Sequence, residues 1–305
     1  MSKEEALVTV KQFQIAEALM SFWTIKRKST GGFSARSINI DAEIKERLRD
    51  VATRSLEGLT EVDDYTLIAQ TNEASCLHVG ADETVFSDIS QLVDEAADEE
   101  VIKKMQDLMN SLAYVVRFYH NGESLYCVKR VGSDWVAKKK KGLNSVVFRE
   151  NKLTLIEEPT LVIYDNYDFY VVGQDVLVAS KKAFETVLQY KMTYTSSLDK
   201  LQVEKDFIDV FSDLTPLLEH VGNNTMHLRR MAVIAEKGYY KDAEYMSRLK
   251  QVSATQKWNI NFNPEGKIVP CAESAKTIME VLLNHRLFSQ LSLTSFVVPS
   301  ATQIN

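Results

Sequence analysis

The sequence has few of the residues that interrupt regular structure. Among 305 residues there are only 11 glycines and 5 prolines, a smaller share of each than soluble proteins usually carry. This scarcity predicts continuous helices and strands joined by few flexible linkers, and it excludes collagen-like and low-complexity classes. The apolar share of 45% is enough for a sizeable core, and the length suggests about two domains.

Cysteines and long apolar runs are also scarce. Cys76, Cys127 and Cys271 are odd in number and form no CxxC pair, which favours a reducing compartment over a disulfide framework or a structural zinc site. No run approaches the roughly 18 apolar residues of a membrane span, and the acidic start MSKEEALV is unlike a signal peptide. We therefore expect a cytoplasmic protein without direct membrane insertion.

The common catalytic motifs are missing as well. The sequence has no GxxxxGK[ST], GxGxxG or GxSxG pattern, and its five histidines show no HxH or HExxH spacing. Nucleotide hydrolysis, dinucleotide binding and serine-hydrolase chemistry are therefore unsupported. We expect a protein that is not an enzyme and that needs neither a cofactor nor a metal ion.

The formal net charge of −6 is unevenly distributed along the chain. Residues 55–110 carry two Lys/Arg and fourteen Asp/Glu, whereas residues 111–152 carry nine and three, and residues 221–257 carry seven and three. If the basic blocks converge in the fold, they form a positive face despite the acidic total. If they do not converge, they are ordinary solvated surface.

The hydrophobic pattern predicts a small α/β unit over residues 1–110. Residues 20–26 and 37–40 read as paired strands, and Asp41 is a suitable N-cap for a helix to about Arg54. A short strand is predicted over 65–69, and apolar residues at three- and four-residue spacing predict a long amphipathic helix over 89–112.

From residue 113 the pattern changes to short strands and then to helices. Hairpins are predicted around His120-Asn121-Gly122-Glu123 and around 149–152, followed by a meander to residue 179. Helices follow over 181–192, 199–211, 216–221, 225–236 and 242–251. A hairpin over 258–269, a helix over 273–285 and a strand over 295–299 complete the chain. Strands grouped apart from helices indicate an α+β fold, with domains at 1–110 and 111–305.

Two basic clusters are candidate phosphate-binding sites. Lys138, Lys139, Lys140 and Lys141 lie between Trp135 and Gly142, and such a compact charge suits phosphates, which are recognised as charge and not as sequence. Arg229 and Arg230 follow His227 on a predicted helix, where Arg230 and Lys237 share a face. A third cluster, Lys26-Arg27-Lys28, lies at a strand end. For each cluster, a solvated surface is the alternative.

Two further patterns suggest other functions. Asp134, Glu150 and Lys152 have the D…ExK order of metal-dependent nucleases, in which two carboxylates bind a divalent cation. That chemistry requires the ExK residues to lie along a strand, and here they fall at a predicted turn. The acidic run 94–100 on the predicted amphipathic helix is either a solvated face or a docking surface for a basic partner.

Several segments in the second half of the sequence follow one another in a characteristic order. An apolar strand passes through a turn into LTLIEEP, and DFYVV and VLVASKKAFE follow, with Lys182 to Glu185 opening a helix. In this order, and in the carboxy-terminal LLNHRLFSQLSLTSFVVPSA, the sequence resembles the KwaB-like family of Kiwa anti-phage systems. These motifs are structural and carry no catalytic signature.

The resemblance implies a cytoplasmic defence effector that binds DNA without marked sequence preference. It also implies a membrane-embedded, KwaA-like partner and self-association as a homodimer or a higher homo-oligomer. We therefore expect a non-catalytic effector that contacts DNA phosphates through the lysine run and the arginine pair. The alternatives are a protein-binding adaptor without DNA contact and a metal-dependent nuclease.

Overall fold

The structure is a computed structural model of the 305-residue chain. It describes residues 1–28, 32–80, 87–96, 101–132, 135–137, 145–149, 151–156, 160–188, 190–289 and 291–298. The chain divides into two compact units, Met1–Leu188 and Gln189–Asn305.

Most of the β-structure is in the first unit. Its described strands are β1 (Leu19–Arg27), β2 (Phe33–Ile38), β3 (Glu61–Asp64), β4 (Ser75–Val79), β5 (Ala113–His120), β6 (Glu123–Arg130), β7 (Val136–Ala137), β8 (Ser145–Arg149), β9 (Lys152–Ile156), β10 (Thr160–Leu161), β11 (Phe169–Val172) and β12 (Asp175–Val178). Eight of them form one sheet in the order β2-β1-β5-β6-β11-β12-β4-β3, and the other four form the hairpin β8–β9 and the pair β7–β10.

The eight-stranded sheet joins strands from both sides of residue 110. Strand β1 pairs antiparallel with β5, with Trp23 opposite Val115, and β12 pairs antiparallel with β4. The division predicted at residue 110 therefore differs from the compact units, which separate after Leu188. The physical reason is long-range strand pairing, which local sequence patterns do not encode. Only β3 and β4 pair in parallel among the described strands, so the sheet is mixed.

Helices cover both faces of this sheet. The helices of the first unit are α1 (Lys3–Gln12), α2 (Ala42–Glu57), α3 (Ser87–Glu95) and α4 (Lys181–Val187), with a 3₁₀ turn at Met105–Leu108. Buried side chains of α1 and α2 share one core with Tyr114 and Tyr170. Phe184 of α4 packs edge-to-face on Phe169, with ring centroids 5.2 Å apart. Because Phe169 and Tyr170 are neighbours on one strand, their side chains lie on opposite faces, and both faces are buried.

The second unit is mainly helical. Its described helices and strands are α5 (Lys191–Leu201), α6 (Lys205–Ile208), α7 (Thr215–Val221), α8 (Thr225–Lys237), α9 (Ala243–Thr255), β13 (Asn261–Phe262), β14 (Ile268–Val269), α10 (Ala275–Leu282), β15 (Arg286–Ser289) and β16 (Thr294–Val297). A 3₁₀ turn at Tyr239–Lys241 precedes α9. Helix α10 is almost wholly buried, and the strands form the hairpins β13–β14 and β15–β16. The α+β fold class is confirmed.

Local signals predicted several elements well. Asn121 and Gly122 both have positive φ, 51° and 88°, at the turn between β5 and β6, as expected for an Asn-Gly hairpin. Asp41 caps α2 by accepting a hydrogen bond from the Ile44 amide at 2.8 Å. The predicted hairpins at 149–152 and 263–266 are also present.

Other element predictions were wrong. Residues 65–69 form no strand; the strands lie on either side, in β3 and β4. Within the predicted helix over 89–112, the described residues form an α-helix only as far as Glu95, with a 3₁₀ turn at Met105–Leu108. The helix predicted over 199–211 is divided between the end of α5 and the short α6.

Candidate phosphate-binding site

The lysine run lies outside the described residues, and only its flank can be placed. Trp135 is buried, donates a hydrogen bond from Nε1 to the Val162 carbonyl oxygen at 2.9 Å and stacks on Tyr114 with centroids 5.9 Å apart. Trp135 is therefore a core residue and is not available to stack on a base. The prediction that Lys138, Lys139, Lys140 and Lys141 contact phosphate stays a prediction.

Arg229 and Arg230 lie on α8, in the second unit. Asn224 caps this helix by accepting hydrogen bonds from the amides of Met226 and His227. Gly238 ends it in the left-handed region at φ 63°, where a residue without Cβ is favoured.

The apolar face of α8 is packed. Its buried residues are Leu228, Met231, Ala232, Val233 and Ile234, and α8 packs on α5. Arg229 and Arg230 are half-buried beside this face. The arginine pair therefore lies along the edge of a packed helix and not on a loop.

Two histidines lie next to Arg230 that the sequence did not single out. His220 on α7 and His227 on α8 stack face to face, with ring centroids 4.7 Å apart and planes 13° apart. The Nδ1 atom of His227 lies 3.1 Å from the His220 carbonyl oxygen and donates to it. Burial, then His227 and Arg230, lower the pKa of His220. Its Nε2 atom is buried and has no hydrogen-bond partner among the described residues.

A third histidine approaches the same arginine from the end of α10. Burial lowers the pKa of His285, and the positive charges of Lys237 and Arg230 lower it further, against the attraction of Glu280. Lys237 donates to the Leu283 carbonyl oxygen at 2.8 Å. Arg230 therefore lies among four other basic or imidazole side chains. We call the five residues the Arg230 cluster: His220, His227, Arg230, Lys237 and His285.

The carboxylate that acts on His285 is already paired. Glu280 is 4% exposed, accepts from Nε of Arg286 at 2.9 Å and lies 4.0 Å from Nζ of Lys276. Glu280 is therefore engaged with Arg286, and the cluster combines imidazoles with an arginine and a lysine. Such a set can bind an oxyanion, because its groups donate hydrogen bonds and carry or acquire positive charge.

One residue of the acidic run 94–100 makes contacts within the first unit, which weakens the alternative that this run is a docking surface. Asp94, at the end of α3, accepts a hydrogen bond from the Tyr126 hydroxyl at 2.6 Å and pairs with Arg117 at 3.2 Å. Burial, and then the hydrogen bond to Asp94, raise the pKa of Tyr126 to about 12. Asp94 thus serves the fold of the first unit, and the acidic residues 98–100 lie outside the described part of the chain.

Only part of the nuclease-like pattern lies within the described residues. Asp134 and Glu150 lie outside the described residues. Asn151 has φ 61°, and Arg149 faces Lys152 across the end of the β8–β9 hairpin, so the predicted turn is confirmed. Within the described residues, no group of three or more His, Cys, Asp or Glu could hold a metal ion.

The aspartates of the meander make structural contacts. Asp168 is buried and binds Nζ of Lys129 at 3.0 Å and the Arg130 amide at 2.7 Å. Asp175 lies 2.7 Å from Nε2 of His78, also buried. These carboxylates satisfy buried donors of the sheet.

Comparison with known proteins assigns the chain to a family. The model of the family described as Kiwa protein KwaB-like matches residues 108–292, which is more than half of the chain. No curated protein and no solved structure matches significantly. None of the described helices is long and apolar enough to cross a membrane. On the strength of this match the chain belongs to the Kiwa KwaB-like family, and its role is in anti-phage defence.

Proposed function

We propose that the protein is a non-catalytic effector that binds DNA through phosphate contacts, without marked sequence preference. The observation that carries the proposal is the Arg230 cluster, in which Arg230 and Lys237 lie among three imidazoles. Phosphates are recognised by such charge and hydrogen-bond donors, independently of the base sequence.

The distribution of charge between the two units supports this assignment. Residues 1–188 carry 23 Lys/Arg and 30 Asp/Glu, whereas residues 189–305 carry 13 and 12. The acidic surplus of the chain therefore belongs to the first unit. An anionic ligand meets less long-range repulsion at the second unit than the net charge of the whole chain suggests.

A salt titration of DNA binding tests the proposal. Binding of a short duplex of arbitrary sequence should weaken steeply as salt rises, because phosphate contacts release counterions. The double variant R229Q/R230Q should lower the slope of log K against log salt by about 1 for each phosphate that the variant no longer neutralises. A matched control is R248Q/K250Q, which also removes two positive charges, from exposed positions on α9, and should leave the slope unchanged.

Three results would contradict the proposal. Binding that does not respond to salt would exclude a phosphate-dominated complex. Unchanged DNA binding after Lys138–Lys141 are replaced by Glu, with partner binding abolished, would favour the adaptor. Cleavage of plasmid by the purified protein with Mg²⁺ or Mn²⁺ would favour the nuclease.

We also propose that the protein acts with a membrane-embedded, KwaA-like partner and forms a homodimer or a higher homo-oligomer. Family membership is what supports this part. Co-expression with the partner should increase the share of the protein in the membrane fraction, while the purified protein alone should give a mass above that of one chain in light scattering. A monomer that stays out of the membrane fraction in both conditions would exclude this arrangement.

A further inference from the structure

The hairpin β15–β16 exposes apolar side chains on a segment without charge. Residues 287–298 contain no Asp, Glu, Lys, Arg or His. At the turn between the strands, Leu291 is 99% exposed and Leu293 is 75% exposed; we call these two residues the apolar tip. Behind the tip, Leu287 faces Phe296 across the strands, and Phe296 is 48% exposed.

The hairpin is fixed at its base. The Val298 amide donates to the His285 carbonyl oxygen at 2.7 Å, and Nε1 of Trp258 lies 3.4 Å from the Ser295 hydroxyl oxygen. The Arg286 guanidinium stands 5.7 Å from the centre of the Trp258 ring and pairs with Glu280. The apolar tip therefore stands on an anchored support.

Hydroxyl groups of the hairpin satisfy polar backbone groups of its turn. The Ser292 amide donates to Oγ of Ser289 at 3.3 Å, and Oγ1 of Thr294 donates to the Ser292 carbonyl oxygen at 3.0 Å. Such internal pairing lowers the cost of moving a turn out of water, where unpaired backbone groups are expensive.

Positive charge lies at the opposite end of the hairpin. His285 immediately precedes β15, and Arg230 and Lys237 are close enough to lower the pKa of its imidazole. A strand of four residues spans about 13 Å. The hairpin thus has an apolar tip, an indole at its side and cations at its base, which is the order of layers at an anionic membrane surface.

We propose that this hairpin inserts its apolar tip into the surface of an anionic lipid bilayer, with Arg230 and Lys237 facing the headgroups. Insertion of about 5–10 Å is enough for such a contact and needs no membrane-spanning helix. Direct contact with lipid departs from the expectation, drawn from the sequence, of no direct membrane insertion.

Two other occupants fit the hairpin less well. A second copy of the chain that paired along the strand edges would leave Leu291 and Leu293 uncovered at the turn. A DNA wedge would require cations beside the inserted side chains to hold phosphates, and residues 287–298 have none.

Sedimentation with vesicles tests the inference on the full chain. Wild-type protein should bind vesicles of phosphatidylcholine with phosphatidylglycerol more tightly than vesicles of phosphatidylcholine alone. The double variant L291D/L293D should lose at least about tenfold in affinity, because each leucine loses its transfer from water. A control is Val203→Asp, which adds one negative charge at a position that is 78% exposed in the same unit, and it should bind like wild type.

Two further variants, one uncharged and one fluorescent, complete the test. L291S/L293S should weaken binding in the same direction without adding charge. A tryptophan at 291 (Leu291→Trp) should shift its emission to the blue with anionic vesicles and be quenched by brominated lipid.

The inference is overturned if wild-type protein does not bind anionic vesicles, or if L291D/L293D binds them as wild type does. A change in oligomer mass on tip substitution, without any vesicle binding, would assign the hairpin to a second copy. Loss of DNA affinity in L291D/L293D, again without vesicle binding, would assign it to DNA.

Discussion

The residue that connects the imidazoles of the second unit is Arg230. It contributes to the lowered pKa of both His220 and His285, although burial is the larger cause for each. Neither α7 nor the end of α10 carries a motif that marks its histidine. The arginine pair could be predicted from composition, but the histidines could not, because residues 220 and 285 meet the same arginine only after folding.

This arrangement makes DNA binding dependent on pH. Because the pKa values of His220 and His285 lie below the ordinary 6.5, both rings are neutral at pH 7.5. A phosphate favours their protonated forms, so binding takes up protons, and affinity should rise as the pH falls from about 7.5 to about 5.5. Fluorescence anisotropy with labelled duplex at constant ionic strength would measure this dependence.

Matched histidine variants distinguish the Arg230 cluster from other groups that take up protons. H220Q/H285Q should flatten the pH dependence, whereas His120→Gln, in the first unit, should retain it. Circular dichroism at each pH should be included, because acidification also favours the unfolded chain when buried histidines have lowered pKa values. A pH dependence that survives in H220Q/H285Q would assign the protons elsewhere.

At the scale of single elements, predictions succeeded where the signal is local. The β5–β6 hairpin follows from Asn121-Gly122, and α2 follows from its aspartate cap, since in both cases residues within a few positions fix the backbone. Strand β4 was missed because its five residues, Ser75–Val79, are all buried and lack the alternation of a half-exposed strand. The apolar spacing over 89–112 predicted one long helix, but Val101 instead forms a bridge to Ser37 of β2.

The β5–β6 turn gives an element-scale prediction. Gly122 has φ 88°, and the space around its missing Cβ is open, so Gly122→Ala introduces backbone strain without a clash. We expect a loss of about 1–2 kcal/mol in the free energy of unfolding, measured by urea denaturation. Gly80→Ala is the control, because its Cβ would meet only an ordinary contact at 3.6 Å from His78 Cε1. Equal stability of G122A and wild type would show that this turn does not control the hairpin.

At the scale of the whole molecule, the sequence predicted the α+β class but not the arrangement of the sheet. The sequence pattern assigns β1 and β2 to one unit and β5 and β6 to another, yet the four strands are consecutive neighbours in the sheet. The family match begins at residue 108, close to the predicted start at 111, so sequence similarity and compactness divide the chain differently. Pairing between distant strands depends on burial in three dimensions, and neither propensity nor periodicity specifies it.

A truncation distinguishes these two divisions of the chain. A fragment of residues 111–305 contains nearly all of the family match but lacks β1 to β4, so it exposes the edge of β5 along its pairing with β1 from Ala113 to Tyr119. It also uncovers β12, whose four residues are buried. Unpaired apolar edges promote association between chains. We therefore expect this fragment to aggregate or to lack a cooperative thermal transition, whereas residues 1–188 should unfold cooperatively in calorimetry, because the complete sheet and both of its helical layers are present. A cooperative transition in 111–305, with none in 1–188, would show that the family segment and not the sheet is the folding unit.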